Sequence, residues 1–247
     1  MDETALAAAR DLLRIARSCV VLTGAGMSAE SGVPTFRDAL TGEWSRFDPM
    51  QLASREGFEA DPPFVWRWYR ARRDHVVRVQ PNAGHNALVG LEKRFSPFAI
   101  ITQNVDDLHR RAGSTRVLEL HGNILRTKCL ADCGVSIEGL EALPAGEPPA
   151  CPACGQWLRP DVVWFGEMLD PDVLEEAERL AGRCEVMLVV GTSGVVYPAA
   201  ELPHLARRHG ARVILVNPNP SDLDDCADVC IAGTAASTLP RLLADAT

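Results

Sequence analysis

The chain has no apolar run near the roughly 20 residues that a bilayer-spanning helix needs, which excludes such a helix. It has no surplus of positive charge either: 25 Lys and Arg stand against 33 Asp and Glu, a net charge of −8. That balance argues against nucleic acid as a partner and favours basic ones such as lysine-rich protein segments. The opening residues, Met1-Asp2-Glu3-Thr4, carry early acids and neither a signal-peptide core nor a transit-peptide bias, so the cytoplasm is expected. There is no internal repeat and no low-complexity segment. What remains is an ordinary globular composition, 47% hydrophobic and 23% charged over 247 residues. That length allows one sizeable core, or a large domain carrying a smaller insert. The eight cysteines suggest metal ligands or buried thiols before disulfides.

Short β-rich runs alternate with helical patterns. Strands are expected at Cys19–Thr23, Phe98–Thr102, Val117–Leu120, Val186–Val190, Arg212–Val216 and Val229–Ile231. Asp170-Pro171 opens a helix closed by Gly182, and Pro198 opens one closed by Gly210, with proline first and glycine last. Fully apolar strands alternating with helices point to an α/β fold with a doubly wound parallel sheet. Two stretches break the rhythm. Residues 38–78 hold aromatics and arginines but no core strand, and residues 127–159 hold cysteines, Gly and Pro with little periodicity. Both read as insertions that form a small module against the larger domain, which would comprise residues 1–37, 79–126 and 160–247.

The most informative stretch is Leu22 to Arg37, LTGAGMSAESGVPTFR. An apolar strand ends in Gly24-Ala25-Gly26, and a small-residue helix start follows through Met27, Ser28, Ala29 and Glu30. Such a strand–turn–helix brings backbone N–H groups to a pyrophosphate. Gly24 would permit the turn, Gly26 would let the backbone approach the phosphates, and Ala29 would pack helix on strand. An ordinary βα turn would read the same way on its own. The tail sharpens it: Gly32 and Pro34 break the helix at once, and the loop presents Phe36 and Arg37. The second strand ending in an acid, expected of hydride-transferring folds, is missing. This suits a dinucleotide that is cut.

Cys129, Cys133, Cys151 and Cys154 form two close pairs flanked by the turn residues Gly134, Pro152 and Gly155. Four thiolates in two knuckles fit a tetrahedral, closed and therefore structural Zn(II) site. Cys19, Cys184, Cys226 and Cys230 read as buried thiols behaving as small hydrophobes. Two further strand ends carry polar groups. Gln103, Asn104, Val105 and Asp106 follow one strand, and His121-Gly122 follows the next. An imidazole at a strand end is suited to accept a proton near neutral pH. His85 and His109 read as structural. Gly191-Thr192-Ser193 and Val216-Asn217 are two more strand-end turns, suited to phosphate and a second ribose.

In combination and order, GAGMSAESGVPTFR, TQNVDD, LHGN, the two cysteine pairs, VVWFGE, VGTS and the strand ending in Asn217 resemble the sirtuins, NAD-dependent protein-lysine deacylases. The resemblance spans nearly the whole chain. It implies a Rossmann-like domain, a smaller domain made of a helical insert and a zinc ribbon, and NAD meeting an acyl-lysine peptide in the cleft between them. By that resemblance Gly24, Ala25, Gly26, Ser28, Phe36 and Arg37 would hold the pyrophosphate and nicotinamide end. Gln103, Asn104, Val105 and Asp106 would take the nicotinamide-side ribose and carboxamide, and His121 would be the general base. Gly191, Thr192, Ser193, Asn217, Pro218, Asn219 and Ala235 would line the adenosine half. Val163, Phe165, Gly166 and Val196 would be edges between which an extended peptide adds as a strand. The products would be nicotinamide, O-acyl-ADP-ribose and free lysine, and the protein would act as a monomer. Two positions depart from the family pattern: Asp107 stands where Gly or Asn is frequent, and Asn217 is followed by Pro218-Asn219-Pro220 in place of an acid.

In the helical insert, Tyr69 and Arg72 lie three apart and share a helix face. A phenol and a guanidinium together can clamp a carboxylate. The pair resembles the Tyr-x-x-Arg of class III sirtuins, which remove succinyl, malonyl and glutaryl groups, and Ala53 aligns with the small residue of their acyl pocket. The alternative is that arginines 67, 70, 72 and 73 form a solvated basic face. A plain deacetylase, a mono-ADP-ribosyltransferase on the same scaffold, and a non-catalytic NAD-binding module stay open as further readings.

Overall fold

The computed structural model describes residues 2–34 and 48–244. Six parallel strands form the main sheet: β1 (Cys19–Thr23), β2 (Phe98–Thr102), β3 (Val117–Glu119), β7 (Val186–Val190), β8 (Arg212–Asn217) and β9 (Val229–Ala232). Their spatial order is β3-β2-β1-β7-β8-β9. The expected strands are all present, with ends shifted by one residue in β3, β8 and β9.

The sheet is buried on both faces because its side chains alternate between two cores. Val21, Ile100, Leu188, Val190 and Ile214 point toward α1 (Glu3–Ile15), α5 (Ala83–Arg94) and α9 (Ala235–Leu243). Val20, Leu22, Ile101, Val189 and Leu215 point toward α7 (Pro171–Ala181) and α8 (Glu201–Arg208). Asp170 caps α7 by accepting from the N–H groups of Asp172 and Val173, as its Asp-Pro start implies. Helix α8 begins at Glu201, three residues after the expected proline start, because Pro198 lies in a turn.

The insert before β2 is helical, with α2 (Pro49–Leu52), α3 (Arg55–Ala60) and α4 (Pro62–Arg78). The cysteine-rich stretch holds strands that its weak periodicity does not announce. β4 (Gly122–Cys129) pairs antiparallel with β5 (Ser136–Glu138) and β6 (Leu158–Val162) in a second, three-stranded sheet. Buried Arg73 fastens α4 to β4. Its guanidinium donates to the carbonyls of Ile124 (2.6 Å) and Arg126 (2.8 Å) and to Thr127 Oγ1 (2.8 Å). Leu52, Phe58, Val65, Trp68 and Tyr69 then pack with Ile124 and Trp164 into a third core.

Strand order reverses between β1 and β7, where ligands bind in open α/β sheets. Two turns meet there. Gly24 N–H donates to Val190 O (3.0 Å) and Gly26 N–H to Gly191 O (2.8 Å). A Cβ on Gly24 would lie 2.7 Å from Gly191 O, and one on Gly26 would lie 2.7 Å from Gly191 Cα. These glycines are therefore required by backbone-to-backbone approach. Gly24 has φ −122°, open to any residue. The turn runs directly into Ala25–Met27 and Ala29–Ser31, two single 3₁₀ turns closed by Gly32 at φ 85°, in place of an α-helix start. Ala29 is exposed, and fully buried Met27 does the packing expected of it.

Behind this junction His85 of α5 and His109 of α6 (Leu108–Ala112) are buried with ring centroids 4.9 Å apart. Burial pushes their pKa values down to about 4 and about 3.

Three expectations follow. Gly26→Ala forces the two turns apart and lowers stability by about 2–3 kcal/mol in denaturant titration. Gly90→Ala in α5, whose Cβ meets nothing within 4 Å, raises it by about 0.5–1 kcal/mol. The buried histidines fold only when neutral. Their folded pKa values lie below the ordinary 6.5, so their contribution is complete above about pH 6.5 and is lost as pH falls toward 4. The urea midpoint therefore drops between pH 7 and 5, and it drops less in His109→Leu, which has one such group fewer.

Candidate active site

The polar residues expected at strand ends converge on the reversal point. Gln103 Nε2 donates to Thr192 Oγ1 across it (3.1 Å), and Asn217 Nδ2 donates to Thr192 O (3.3 Å), tying the turns after β2, β7 and β8 together. Gly191 needs glycine twice over, for its φ of 62° and because a Cβ would sit 2.4 Å from Met27 N. Ser193 O accepts from Asp222 N–H (3.0 Å). Pro218 and Asn219 are exposed beyond β8, and Ala235 is buried at the first turn of α9. Ala25 is exposed beside these groups. Phe36 and Arg37 lie outside the described residues.

The loop after β2 is tightly held. Asn104 N–H donates to Thr102 Oγ1 (3.0 Å) and its side-chain amide to buried Ser28 Oγ (3.1 Å). Asp106 is 4% exposed and accepts from Leu108 N–H (3.0 Å) and from the Ser28 hydroxyl. Burial raises its pKa. Val105 O accepts from Ile124 N–H (2.8 Å), joining this loop to β4. Asp107 sits in the left-handed region (φ 63°), which explains why Gly or Asn suits this position. Its carboxylate accepts from Asn123 Nδ2 (3.0 Å), an amide that also reaches Glu119 (3.0 Å).

His121 occupies the turn between β3 and β4, half-buried, with Nδ1 3.0 Å from Gln103 O. With that carbonyl as partner, Nδ1 carries the proton and Nε2 is left as the basic nitrogen. Burial lowers the ring's pKa, which keeps it neutral at pH 7. Gly122, at φ 80°, could carry no Cβ, which would lie 2.2 Å from Asp161 O. His121 O in turn accepts from Val163 N–H (2.9 Å). Phe165, Val196 and Tyr197 are exposed apolar residues, and Gly166 is exposed beside Phe165.

Tyr69 lies inside the third core, 4% exposed, and Arg72 is half-buried, neither being fully solvated. Arg67 and Arg70 alone of the four arginines are solvent-facing. The Tyr69 hydroxyl accepts from Trp164 Nε1 (2.9 Å), and burial raises its pKa to about 12 against the pull of Arg72. The Arg72 guanidinium lies 4.9 Å from the Trp68 ring centroid. Trp164 is fixed from the other side by buried Arg159, 3.3 Å from its ring centroid, which also pairs with Glu167. The Ala53 carbonyl accepts from Phe165 N–H (2.8 Å). Nothing in the composition of residues 127–159 marks Arg159 for this role.

The sulfurs of Cys129, Cys133, Cys151 and Cys154 lie within 4.8 Å of one another, with Cys129–Cys154 at 3.4 Å and Cys133–Cys151 at 3.6 Å. Four thiolates about 2.3 Å from one ion stand about 3.8 Å apart at the corners of a tetrahedron, so the residues fit zinc. Among the described residues no helix is long and apolar enough to cross a membrane.

A model of the Sir2 family matches residues 24–198. Relatives include an NAD-dependent protein deacylase of Ralstonia nicotianae, 54% identical over 98% of both chains. One of Aeropyrum pernix is 52% identical over 94% of this chain and 93% of its own. A solved complex of a Sir2 homologue with NAD superposes with a TM-score of 0.89 at 44% identity, covering 99% of this chain and 93% of that one. Sir2Tm bound to a propionylated peptide gives 0.83 at 34% identity over 96% of each. With a matching family model over most of its length and relatives above 50% identity, this chain belongs to the Sir2 family, the sirtuins.

Proposed function

We propose that the protein is an NAD-dependent protein deacylase that removes acyl groups from protein lysines and works best on the acidic succinyl and malonyl groups. The deacylase reading is carried by Asn104, Asp106 and His121 meeting where the turns after β1 and β7 touch, and by relatives that are NAD-dependent protein deacylases. NAD, consumed as co-substrate, supplies the glycosidic bond that is cleaved, and the products are nicotinamide, O-acyl-ADP-ribose and free lysine. Gly24, Ala25, Gly26 and the Gly191–Ser193 turn would hold the pyrophosphate, the three glycines keeping side chains out of the way while their own N–H groups are spent on neighbouring backbone carbonyls. Asn217 and Ala235 would border the adenosine. Asn104 and Asp106 would hold the nicotinamide-side ribose, and His121 Nε2 would accept a proton from a ribose hydroxyl. The peptide would add as a strand between Val163–Gly166 and Val196, and the four cysteines would hold one structural zinc. Residues 38–78 and 127–159 would form the small domain. The acidic surface suits a cytoplasmic monomer acting on lysine-rich segments.

The acyl preference rests on Tyr69 and Arg72, a buried phenol and a half-buried guanidinium three residues apart on one face of α4. A carboxylate at the acyl terminus would accept a forked pair of hydrogen bonds from that guanidinium, with the phenol beside it.

His121→Tyr is expected to lower kcat by at least about a thousandfold while NAD affinity and melting temperature stay near wild type. Arg72→Met should cut kcat/KM on a succinyl-lysine peptide about a hundredfold and on the acetyl peptide less than about threefold. Mass spectrometry of both peptides with and without NAD reads the difference, and equal losses would defeat the acyl preference.

A further inference from the structure

Beneath the Asn104 loop lies a closed polar circuit that the proposed reaction does not use. On one side Asn104 N–H donates to Thr102 Oγ1 (3.0 Å), the Thr23 hydroxyl donates to the same oxygen (2.8 Å), and Thr23 Oγ1 lies 2.9 Å from His109 Nε2. On the other, the Asn104 amide donates to Ser28 Oγ (3.1 Å), which lies 3.5 Å from His85 Nε2. The two imidazoles close the circuit, with their rings 4.9 Å apart and tilted 58°. All of Thr23, Thr102, Ser28, His85 and His109 are 3% exposed or less.

The directions of these bonds fix both tautomers. Thr23 has one hydroxyl proton and gives it to Thr102, so His109 Nε2 must donate and Nδ1 is bare. His109 Nδ1 is buried and has no hydrogen-bond partner among the described residues. A second proton there would be a buried charge without an acceptor, so the ring stays neutral. His85 Nδ1 accepts from Asn82 N–H (3.3 Å), which leaves its proton on Nε2, facing Ser28. Both histidines therefore offer Nε2–H donors, and their chains meet Asn104 at shared acceptors, Thr102 Oγ1 for its backbone N–H and Ser28 Oγ for its side-chain amide.

We propose that this circuit positions Asn104 for the ribose, with His109 a positioning residue that acts through Thr23 and Thr102. The proposal rests on the reading of Asn104 as a ribose-binding catalytic residue. Thr23 touches neither α6 nor the cleft through its hydroxyl except by this chain, so it is the place to cut it. Thr23→Val removes the link at nearly constant volume, and Thr23→Ser retains it.

Steady-state deacylation of an acyl-lysine peptide, with ADP-ribose titrated calorimetrically as the probe of the folded nucleotide site, separates the possibilities. In Thr23→Val and in Thr102→Val, kcat is expected to fall about tenfold, with the peptide KM and the ADP-ribose Kd within about twofold of wild type. Thr23→Ser should stay within about twofold throughout. His109→Leu should match Thr23→Val, and the double variant should be no worse than either alone, because both cut one chain. Wild-type kcat in Thr23→Val overturns the proposal. So does a loss of ADP-ribose binding parallel to kcat in the valine variants, or failure of serine to retain activity, since both mark a packing role. Asn104→Ala is the separate control: if it keeps full activity, the underlying reading of Asn104 fails, whatever the threonine variants do.

Discussion

The contact on which the rest depends is between two stretches of bare backbone. The turn after β1 and the turn after β7 approach so closely that Gly24, Gly26 and Gly191 leave no room for a Cβ on either side. This contact closes the point where strand order reverses and sets the spacing of every group that follows it. Gln103 and Thr192 bridge the gap above it, Ser28 and Met27 fill the space behind it, and the loop carrying Asn104 rests on Ser28. Local dihedral freedom explains little here, since Gly24 is extended. Steric exclusion between neighbouring turns does.

Much of this was legible in the sequence because the main sheet is buried on both faces. Uninterrupted apolar runs such as Cys19–Leu22 and Val186–Val190 identify its strands without any help from tertiary structure. The cysteine pairs and the order of motifs pointed to zinc and to the family. The second sheet was not legible. β4 alternates poorly, is interrupted by a register shift between Asn123 and Thr127, and is fastened by a buried arginine in place of an apolar face. The close backbone approach made by Gly24 and Gly26 was not legible for a related reason. Their partner, the β7 turn, lies some 165 residues away in sequence, and a local pattern cannot reveal a contact that distant.

The polar residues at the ends of β1 and β2 had a signal that is easy to pass over. Thr23 and Thr102 are each the first hydroxyl after four or more apolar positions, adjacent in parallel register, and fully or nearly fully buried. Buried hydroxyls in a sheet core are rarely idle, because each must find a partner. Here the partners are each other, a histidine and the backbone of the reactive loop. Tyr69 and Arg72 show the converse. Their spacing places them on one helix face, but only the third core, with Trp164 clamped by Arg159, decides that this face looks inward.

One bond in that region joins two properties that enzymologists usually vary one at a time. Phe165 N–H is held by the carbonyl of Ala53, and Ser54 bridges Phe165 in parallel. On the proposed reading, the small side chain that would make room for an acyl group belongs to the same residue whose carbonyl anchors the strand edge that would receive the peptide. Enlarging that side chain pushes on the anchor as well as on the cavity. If the proposed substrate path holds, tolerance for bulk on the modified lysine and preference for the residues flanking it are mechanically geared together, and libraries that mutate position 53 would select on both.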